Sequence, residues 1–288
     1  AADMLNRVVE SGKYKLYEGD YSKLSHVVAN NCSESMLEIQ MRNDPSQQWA
    51  QMTMQFLMIG WRTDHLNLTG QAATEIATGT YGFMNPRKDV YDAFVADEGK
   101  DGYRLNNTIK TYDQMKAYGV SLQAGASYYG NEGFFNWKNR ALKEDCISDA
   151  SYFQALQYID LRIMRYAEVL LMAAEANLQA GNQAKALDYV NQIRKRAKLQ
   201  ELTSDKTNSK EAMIEAVLHE RRLELAFEGE RWFDLCRNNK VEKYLNGIDN
   251  RDKGRIKQVK LFDSNSYLLP IPQTALDQNT NLVQNPGY

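Results

Sequence analysis

The sequence lacks the residues that disulfide-bonded and metal-dependent proteins need. Its three cysteines, Cys32, Cys146 and Cys236, lie far apart, and no Cys-X-X-Cys pair occurs. Neither a disulfide framework nor a zinc cluster is therefore predicted. Among the three histidines, His219 and Glu220 begin like a zinc-peptidase motif, but no second His follows four residues after the first. We expect neither a metal nor a cofactor.

Long apolar runs and common catalytic motifs are also missing. No stretch of about 18 apolar residues occurs, so no membrane-spanning helix is predicted. The patterns Gly-X-Ser-X-Gly, Walker A and Gly-X-Gly-X-X-Gly are absent from the sequence. The net charge of −2 gives no basic footprint for nucleic acid. We expect a protein that is not an enzyme, although a glycosidase would need only two facing carboxylates, which spacing cannot show.

Apolar residues at helical spacing predict a predominantly α-helical protein. A short connection at Gly181 predicts an antiparallel hairpin of the tetratricopeptide type, and Ser209 is the predicted N-cap of the following helix. Alternation of apolar and polar residues predicts a strand at Met36–Gln40. The predicted helices cover residues 1–11, 90–94 (a helix or a turn), 158–180, 182–197, 209–228 and 230–239.

Residues 43–157 are rich in turn signals, glycine, aromatic and amide residues, and we expect this segment to be irregular. Long loops in a compact domain often carry binding groups. Sugars pack on flat aromatic rings and use charged or amide groups for their hydroxyls. The candidate ligand-binding residues are Trp61, Tyr81, Arg62, Asp64 and Phe83, and further aromatic residues of the segment are Trp49, Tyr128, Tyr129 and Trp137. The alternative for each aromatic residue is a place in the core.

Residues 220–237 combine many charges with large apolar residues at helical spacing. We expect Leu223, Phe227 and the Trp232–Phe233 pair to be buried close to these charges. Buried charges are tolerated when they pair with each other. The run therefore predicts a structural ion network, with a catalytic site as the alternative. Its expected members are Glu220, Arg221, Glu224, Glu228, Arg231 and Trp232.

Several segments resemble, in order, those of the SusD/RagB family. The upstream segment departs from the family pattern at Arg87, where the Pro is usually followed by Thr. The matching segments are Asn85–Phe94, Asp101–Arg104, Arg165–Ala176, Glu220–Arg237, Tyr267–Pro272 and Leu282–Tyr288.

The resemblance implies a SusD-like fold with tetratricopeptide-type helical hairpins plus a long loop-rich segment with short strands. We expect one domain over residues 1–288, with an irregular, ligand-facing segment at 43–157, helical hairpins at 158–240 and a C-terminal strap at 241–288. Family members begin with a lipid-modified Cys and an N-terminal block of helical repeats. This chain begins with neither and has no initiator Met. We therefore expect it to correspond to the C-terminal portion.

The resemblance also implies a function. It implies an outer-membrane, cell-surface lipoprotein that binds an oligosaccharide or other nutrient and delivers it to a SusC-like TonB-dependent transporter, without catalysis. Membrane contact would be made only through an N-terminal lipid that is not part of this chain. The alternative is a tetratricopeptide-type scaffold that binds other proteins and has no small-molecule ligand.

Overall fold

The structure, a computed structural model, describes residues 1–46, 54–127, 130–148, 155–246 and 262–288. Its contacts group into two compact units, Ala1–Glu228 and Gly229–Tyr288. The expectation of one domain over the whole chain stays a prediction.

The helices of the first unit are distributed along its sequence, and α2 to α6 lie within the segment 43–157. They are α1 (Ala2–Glu10), α2 (Met54–Ile59), α3 (Gly70–Glu75), α4 (Lys88–Glu98), α5 (Tyr103–Thr108), α6 (Tyr112–Tyr118), α7 (Tyr166–Gln179), α8 (Gln183–Arg196), α9 (Ser204–Thr207) and α10 (Lys210–Glu224). Its strands are β1 (Ser35–Ile39), β2 (Leu66–Leu68), β3 (Ile109–Thr111), β4 (Val120–Leu122), β5 (Phe134–Asn136) and β6 (Leu161–Arg165). The prediction of a predominantly α fold with short strands is confirmed.

The main core forms around the predicted hairpin of α7 and α8, against which α1 and α10 pack. The apolar side chains of α7 face partners on several sides, and Leu170, Leu171, Val190, Ile193 and Val217 are buried together. The hairpin turns at a glycine because the backbone there has φ +84°, a conformation that costs glycine little. No helix among the described residues is both long and apolar enough to cross a bilayer.

The predicted cap of α10 is present. Ser209 Oγ accepts a hydrogen bond from the backbone N–H of Ala212 at 3.1 Å. We expect Ser209→Ala to lower the free energy of unfolding by about 1 kcal/mol, because an orphan N–H loses its partner. Urea denaturation would measure this, with Ser204→Ala, at the exposed start of α9, as the matched control. A Ser209→Ala variant as stable as the control would contradict the assignment.

The predicted helix over residues 158–180 is wrong at its start. Leu161–Arg165 instead forms β6, which pairs antiparallel with β1, so that Ile39 lies opposite Leu161. The helix α7 begins only at Tyr166. A local pattern could not reveal this strand, because its partner lies more than 120 residues away in the sequence.

The helix predicted to reach Glu228 ends at Glu224. The chain then reverses through two left-handed residues, Phe227 with φ +66° and Gly229 with φ +96°. A left-handed residue cannot continue a right-handed helix. The turn leaves the Glu228 carboxylate beside the last turn of α10, where it meets Arg165.

The segment 43–157 is more ordered than predicted. It holds α2 to α6 and two antiparallel ribbons, in which β2 pairs with β4 and β3 pairs with β5. These elements enclose a second core that includes Trp61, Ile76, Met115, Val120 and Phe135. The segment is therefore a set of short elements around its own apolar centre, and its loops are held at defined places.

The second unit contains α11 (Arg231–Arg237), α12 (Val241–Leu245) and α13 (Gln273–Gln278). Phe233 is 65% exposed, so the prediction that it is buried is wrong. Trp232 is half-buried, and its ring centroid lies 5.9 Å from that of Phe262. Tyr267 closes a short 3-10 turn, and residues 268–272 lead from it without helix or strand to α13. The assignment of residues 241–288 as a C-terminal strap stays a prediction.

Candidate functional site

The charged residues around α10 form a cluster in the interior of the first unit. Among the described residues, five acidic and five basic side chains form its buried part, and the partly exposed Asp97 joins its edge by pairing with Arg194 at 3.0 Å and with Arg104 at 3.7 Å. The buried ion cluster consists of Glu34, Glu98, Arg104, Lys138, Arg165, Arg194, Arg196, Glu220, Glu224 and Glu228.

Glu224 lies at the centre of the buried ion cluster and is fully buried. Its carboxylate accepts hydrogen bonds from Arg165 Nη1 at 2.7 Å, from Arg104 Nη1 at 3.4 Å and from Arg196 Nη2. Burial alone raises the pKa of this carboxyl, but the guanidinium groups of Arg196, Arg165 and Arg104 outweigh it and hold the pKa far below its ordinary value. Glu224 therefore stays ionised in the folded protein.

Arg165 connects the end of β6 to three acidic residues. Its guanidinium donates to Glu34 Oε1 at 2.6 Å, to Glu224 Oε1 at 2.7 Å and to Glu228 Oε2 at 2.7 Å. Burial raises the pKa of Glu228, but Arg165 and Lys138 lower it to about 2. These mutual bonds tie β6, α8 and α10 together, as expected of a structural network.

The structure places the six predicted network residues in different surroundings. Glu220, Glu224 and Glu228 belong to the buried ion cluster. Arg221 is buried on α10. Arg231 and Trp232 belong to the second unit, where the Arg231 guanidinium lies 4.8 Å from the centroid of the Tyr244 ring. Sequence reasoning missed the cations Arg104, Lys138, Arg165, Arg194 and Arg196.

Trp61 lies in the core and does not face solvent. It is 3% exposed, its ring stacks on Trp137 at 5.8 Å, and its Nε1 donates to the carbonyl of Asn136 at 2.7 Å. Since the indole is enclosed, the prediction that it forms a ligand platform is corrected. The buried ring of Trp61 fixes the start of the loop that follows it, in which Arg62 and Asp64 reach the surface.

An exposed apolar surface lies beside this loop. We name it the Phe83 patch, and it consists of Met54, Met58, Tyr81, Phe83 and Met84. The Phe83 ring is 67% exposed and lies 5.6 Å from the half-buried Tyr81 ring, centroid to centroid. Backbone hydrogen bonds of 2.9 Å from Tyr81 N to Leu57 O and from Phe83 N to Met58 O hold the strand-like segment against α2.

A charged pair borders the Phe83 patch. Arg62 donates to Asp64 through Nε at 3.0 Å and through Nη2 at 3.0 Å, and this pairing lowers the pKa of the Asp64 carboxyl. Gly82, with φ +68°, lies directly against Arg62, since a Cβ there would be 2.8 Å from the Arg62 backbone N. Glycine thus allows the two loops to meet, and it brings the Arg62–Asp64 pair next to Tyr81 and Phe83.

The Phe83 patch has the chemistry of a sugar platform. An exposed ring offers a flat apolar face, and the adjacent ion pair offers donors and acceptors for hydroxyls. Of the predicted site residues, Arg62, Asp64, Tyr81 and Phe83 come together here. The further aromatic residues Trp49, Tyr128 and Tyr129 lie outside the described residues. Across the described part of the chain, no group of three or more His, Cys, Asp or Glu side chains is placed to hold a metal ion.

The helical hairpin and the loop elements of the first unit define a helical scaffold that carries an exposed aromatic surface on its loops. The model of the SusD family matches residues 33–288, and the chain therefore belongs to the SusD family. SusD-like protein P2 from Formosa agariphila is 38% identical over 242 residues, covering 77% of this chain and 43% of that protein.

Two solved structures have the same fold. Surface glycan-binding protein A from Bacteroides thetaiotaomicron superposes with a TM-score of 0.75 at 24% identity, over 99% of this chain and 58% of that chain. A laminarin binding SusD-like protein superposes with a TM-score of 0.74 at 27% identity, over 100% of this chain and 58% of that chain. The chain thus spans about half the length of these relatives.

Proposed function

We propose that this chain takes part in binding an oligosaccharide or other nutrient at the cell surface. The nutrient is then delivered to a SusC-like TonB-dependent transporter in the outer membrane, to which the full-length protein is anchored by its lipid. The observation that carries the proposal is the Phe83 patch, an aromatic surface with a charged border on a SusD-family scaffold. A relative that superposes over the whole chain is described as laminarin binding, which supports a glycan as the ligand.

The proposed role is binding without catalysis. The carboxylates of the buried ion cluster are paired with arginine and lysine groups, which neutralise them. A glycosidase needs one protonated and one ionised carboxyl facing the same open cleft. Glu224 and Glu228 are instead both held ionised by their cationic partners.

We expect Phe83→Ala to weaken oligosaccharide binding about tenfold or more. Stacking on an aromatic face contributes roughly 1–2 kcal/mol beyond the neighbouring polar contacts. Thermal stability should change little, because the ring is largely exposed and supports no core. Isothermal titration calorimetry with a soluble glucan oligosaccharide and a melting curve would measure both quantities.

Three further variants test whether the flat ring of Phe83 is what binds the glycan. Phe83→Trp keeps a flat ring and should retain affinity, whereas Phe83→Leu keeps apolar area without a flat face and should not. Leu37→Ala, at a residue of β1 that is 57% exposed, serves as the surface control. Equal affinity of all four variants and the wild type would contradict the assignment of the patch. Failure of the wild type to bind any glycan would favour the protein-interaction scaffold that α7, α8 and α10 also resemble.

A further inference from the structure

A second concave surface lies in the first unit, on residues other than those of the Phe83 patch. It is a cleft of about 570 Å³ between the segment 14–21, α5 and the C-terminal end of α8. We name it the tyrosine cleft. Its walls carry the tyrosines Tyr14, Tyr17, Tyr21, Tyr103 and Tyr166.

The aromatic walls of the tyrosine cleft are fixed by local contacts. The rings of Tyr21 and Tyr103 lie 6.1 Å apart at 48°, and the backbone N–H of Tyr21 donates to Tyr103 Oη at 3.4 Å. The Tyr17 ring lies over Gly19, where a Cβ would come within 2.4 Å of the Tyr17 Cζ. Tyr21 and Tyr166 are buried, and the Arg196 guanidinium lies 4.7 Å from the centroid of the Tyr21 ring. The half-buried rings of Tyr14, Tyr17 and Tyr103 are therefore the aromatic surfaces that the cleft offers to the C–H faces of a sugar ring.

Four cationic side chains line the same cleft: Lys15, Lys195, Arg196 and Lys198. Two of these are already engaged, since Arg196 pairs with Glu34 and Glu224, and Lys15 pairs with Glu18 at 2.7 Å. Among the described residues, no acidic side chain lies within ion-pair distance of Lys195 or Lys198. The cleft thus presents two ammonium groups that have no anion of their own.

The backbone at Lys198 is unusual for a lysine. The residue follows α8 with φ +61°, and the N–H of Leu199 donates to the carbonyl of Arg194 at 2.9 Å. This left-handed position after a helix is normally taken by glycine, because a side chain is strained there. The strained conformation places Lys198 Nζ 3.8 Å from the centroid of the Tyr103 ring, at the wall of the cleft. The presence of a lysine at a position that favours glycine indicates that its charge has a function.

We infer that the tyrosine cleft binds a saccharide unit that carries an anionic group, a carboxylate or a sulfate ester. The tyrosine rings pack on the sugar, and Lys195 and Lys198 form charge-assisted hydrogen bonds to the anion. This inference goes beyond the proposed function, because it assigns a different surface and a narrower ligand class. Its test does not depend on whether the Phe83 patch binds a glycan, because the two surfaces share no residue.

The test compares three oligosaccharides of the same length on the 288-residue chain: an oligogalacturonate, a sulfated galactan fragment and an uncharged glucan. Calorimetry is expected to show saturable binding of at least one anionic ligand, and which of the two binds identifies the anion. Lys198→Gln and Lys195→Gln are each expected to weaken it about tenfold, since each removes one charge-assisted hydrogen bond. Phe83→Ala should leave this binding unchanged, which separates the two proposals.

Lys198→Gly distinguishes a binding role from a structural one. It removes the ammonium group and relieves the left-handed strain, so it should raise the melting temperature while weakening anion binding. Lys206→Gln, at an exposed lysine of α9, is the control for net charge and should bind normally. The inference is overturned if neither anionic ligand binds, or if the Lys195 and Lys198 variants bind as well as Lys206→Gln.

Discussion

Replacing Glu224 with Gln is expected to lower the free energy of unfolding by about 3–5 kcal/mol, the range for removing one member of a buried ion pair. The Gln side chain keeps the shape of Glu but carries no charge. Arg165 and Arg196 would then face each other across a neutral amide while Glu34 remains their shared acid. Because Glu224 also binds Arg104, the loss affects three buried cations at once.

Urea denaturation followed by circular dichroism would measure this effect. The matched control is Glu211→Gln, an exposed acid in the first turn of the same helix, which should cost only a few tenths of a kcal/mol. A Glu224→Gln variant that lost less than about 1 kcal/mol would show that the buried ion cluster does not hold the first unit together.

Stability is also expected to fall steeply on acidification below about pH 4.5. The pKa of Glu228 is lowered from 4.5 to about 2, and that of Glu224 is lowered further. A carboxyl with a lowered pKa in the folded state stabilises the fold above its unfolded pKa and loses that contribution as the pH falls through its folded pKa. For Glu228, a shift of this size corresponds to up to about 3 kcal/mol.

Other groups with shifted pKa values also modify this pH profile, and His26 and Glu98 show the two directions. Burial lowers the pKa of His26 below its ordinary 6.5, against the hydrogen bond to Asp145, so protonation of the unfolded chain removes stability from about pH 6.5 downward. Burial raises the pKa of Glu98, which acts in the opposite direction. Since Glu224 and Glu228 have the larger shifts, we expect the loss of stability to prevail. Unfolding curves from pH 7 to pH 3 would test this, and a flat profile would contradict it.

The acids Glu220, Glu224 and Glu228 of the buried ion cluster could be predicted from the sequence, because they follow one another at one-turn spacing in a run with a clear helical pattern. The acids Glu34 and Glu98 were not predicted, since they lie in distant segments. Their cations could not be predicted. Arg104 and Arg165 come from α5 and β6, and only the folded chain brings them to α10. Local spacing shows that charges must be compensated, but it does not show which distant residue compensates them.

The same difference between local patterns and distant contacts explains which residues of the candidate site could be predicted. Polar and glycine neighbours made Trp61 look like a surface residue, yet its ring is enclosed by Trp137, which lies 76 positions away. Phe83, with similar neighbours, is 67% exposed, and no distant element in the described part of the chain covers it. The tyrosine cleft was not predicted at all, since its walls come from separate segments and the left-handed backbone of Lys198 has no signal in the sequence.

The central claim is that these 288 residues themselves carry a saccharide-binding surface. A glycan-array screen of this chain beside a longer form, extended by helical repeats like those of other family members, tests it most directly. We predict that both forms bind the same uncharged glucan and that Phe83→Ala weakens this binding about tenfold in both. Binding by the longer form alone, or by the Phe83→Ala variant as strongly as by the wild type, would contradict the claim.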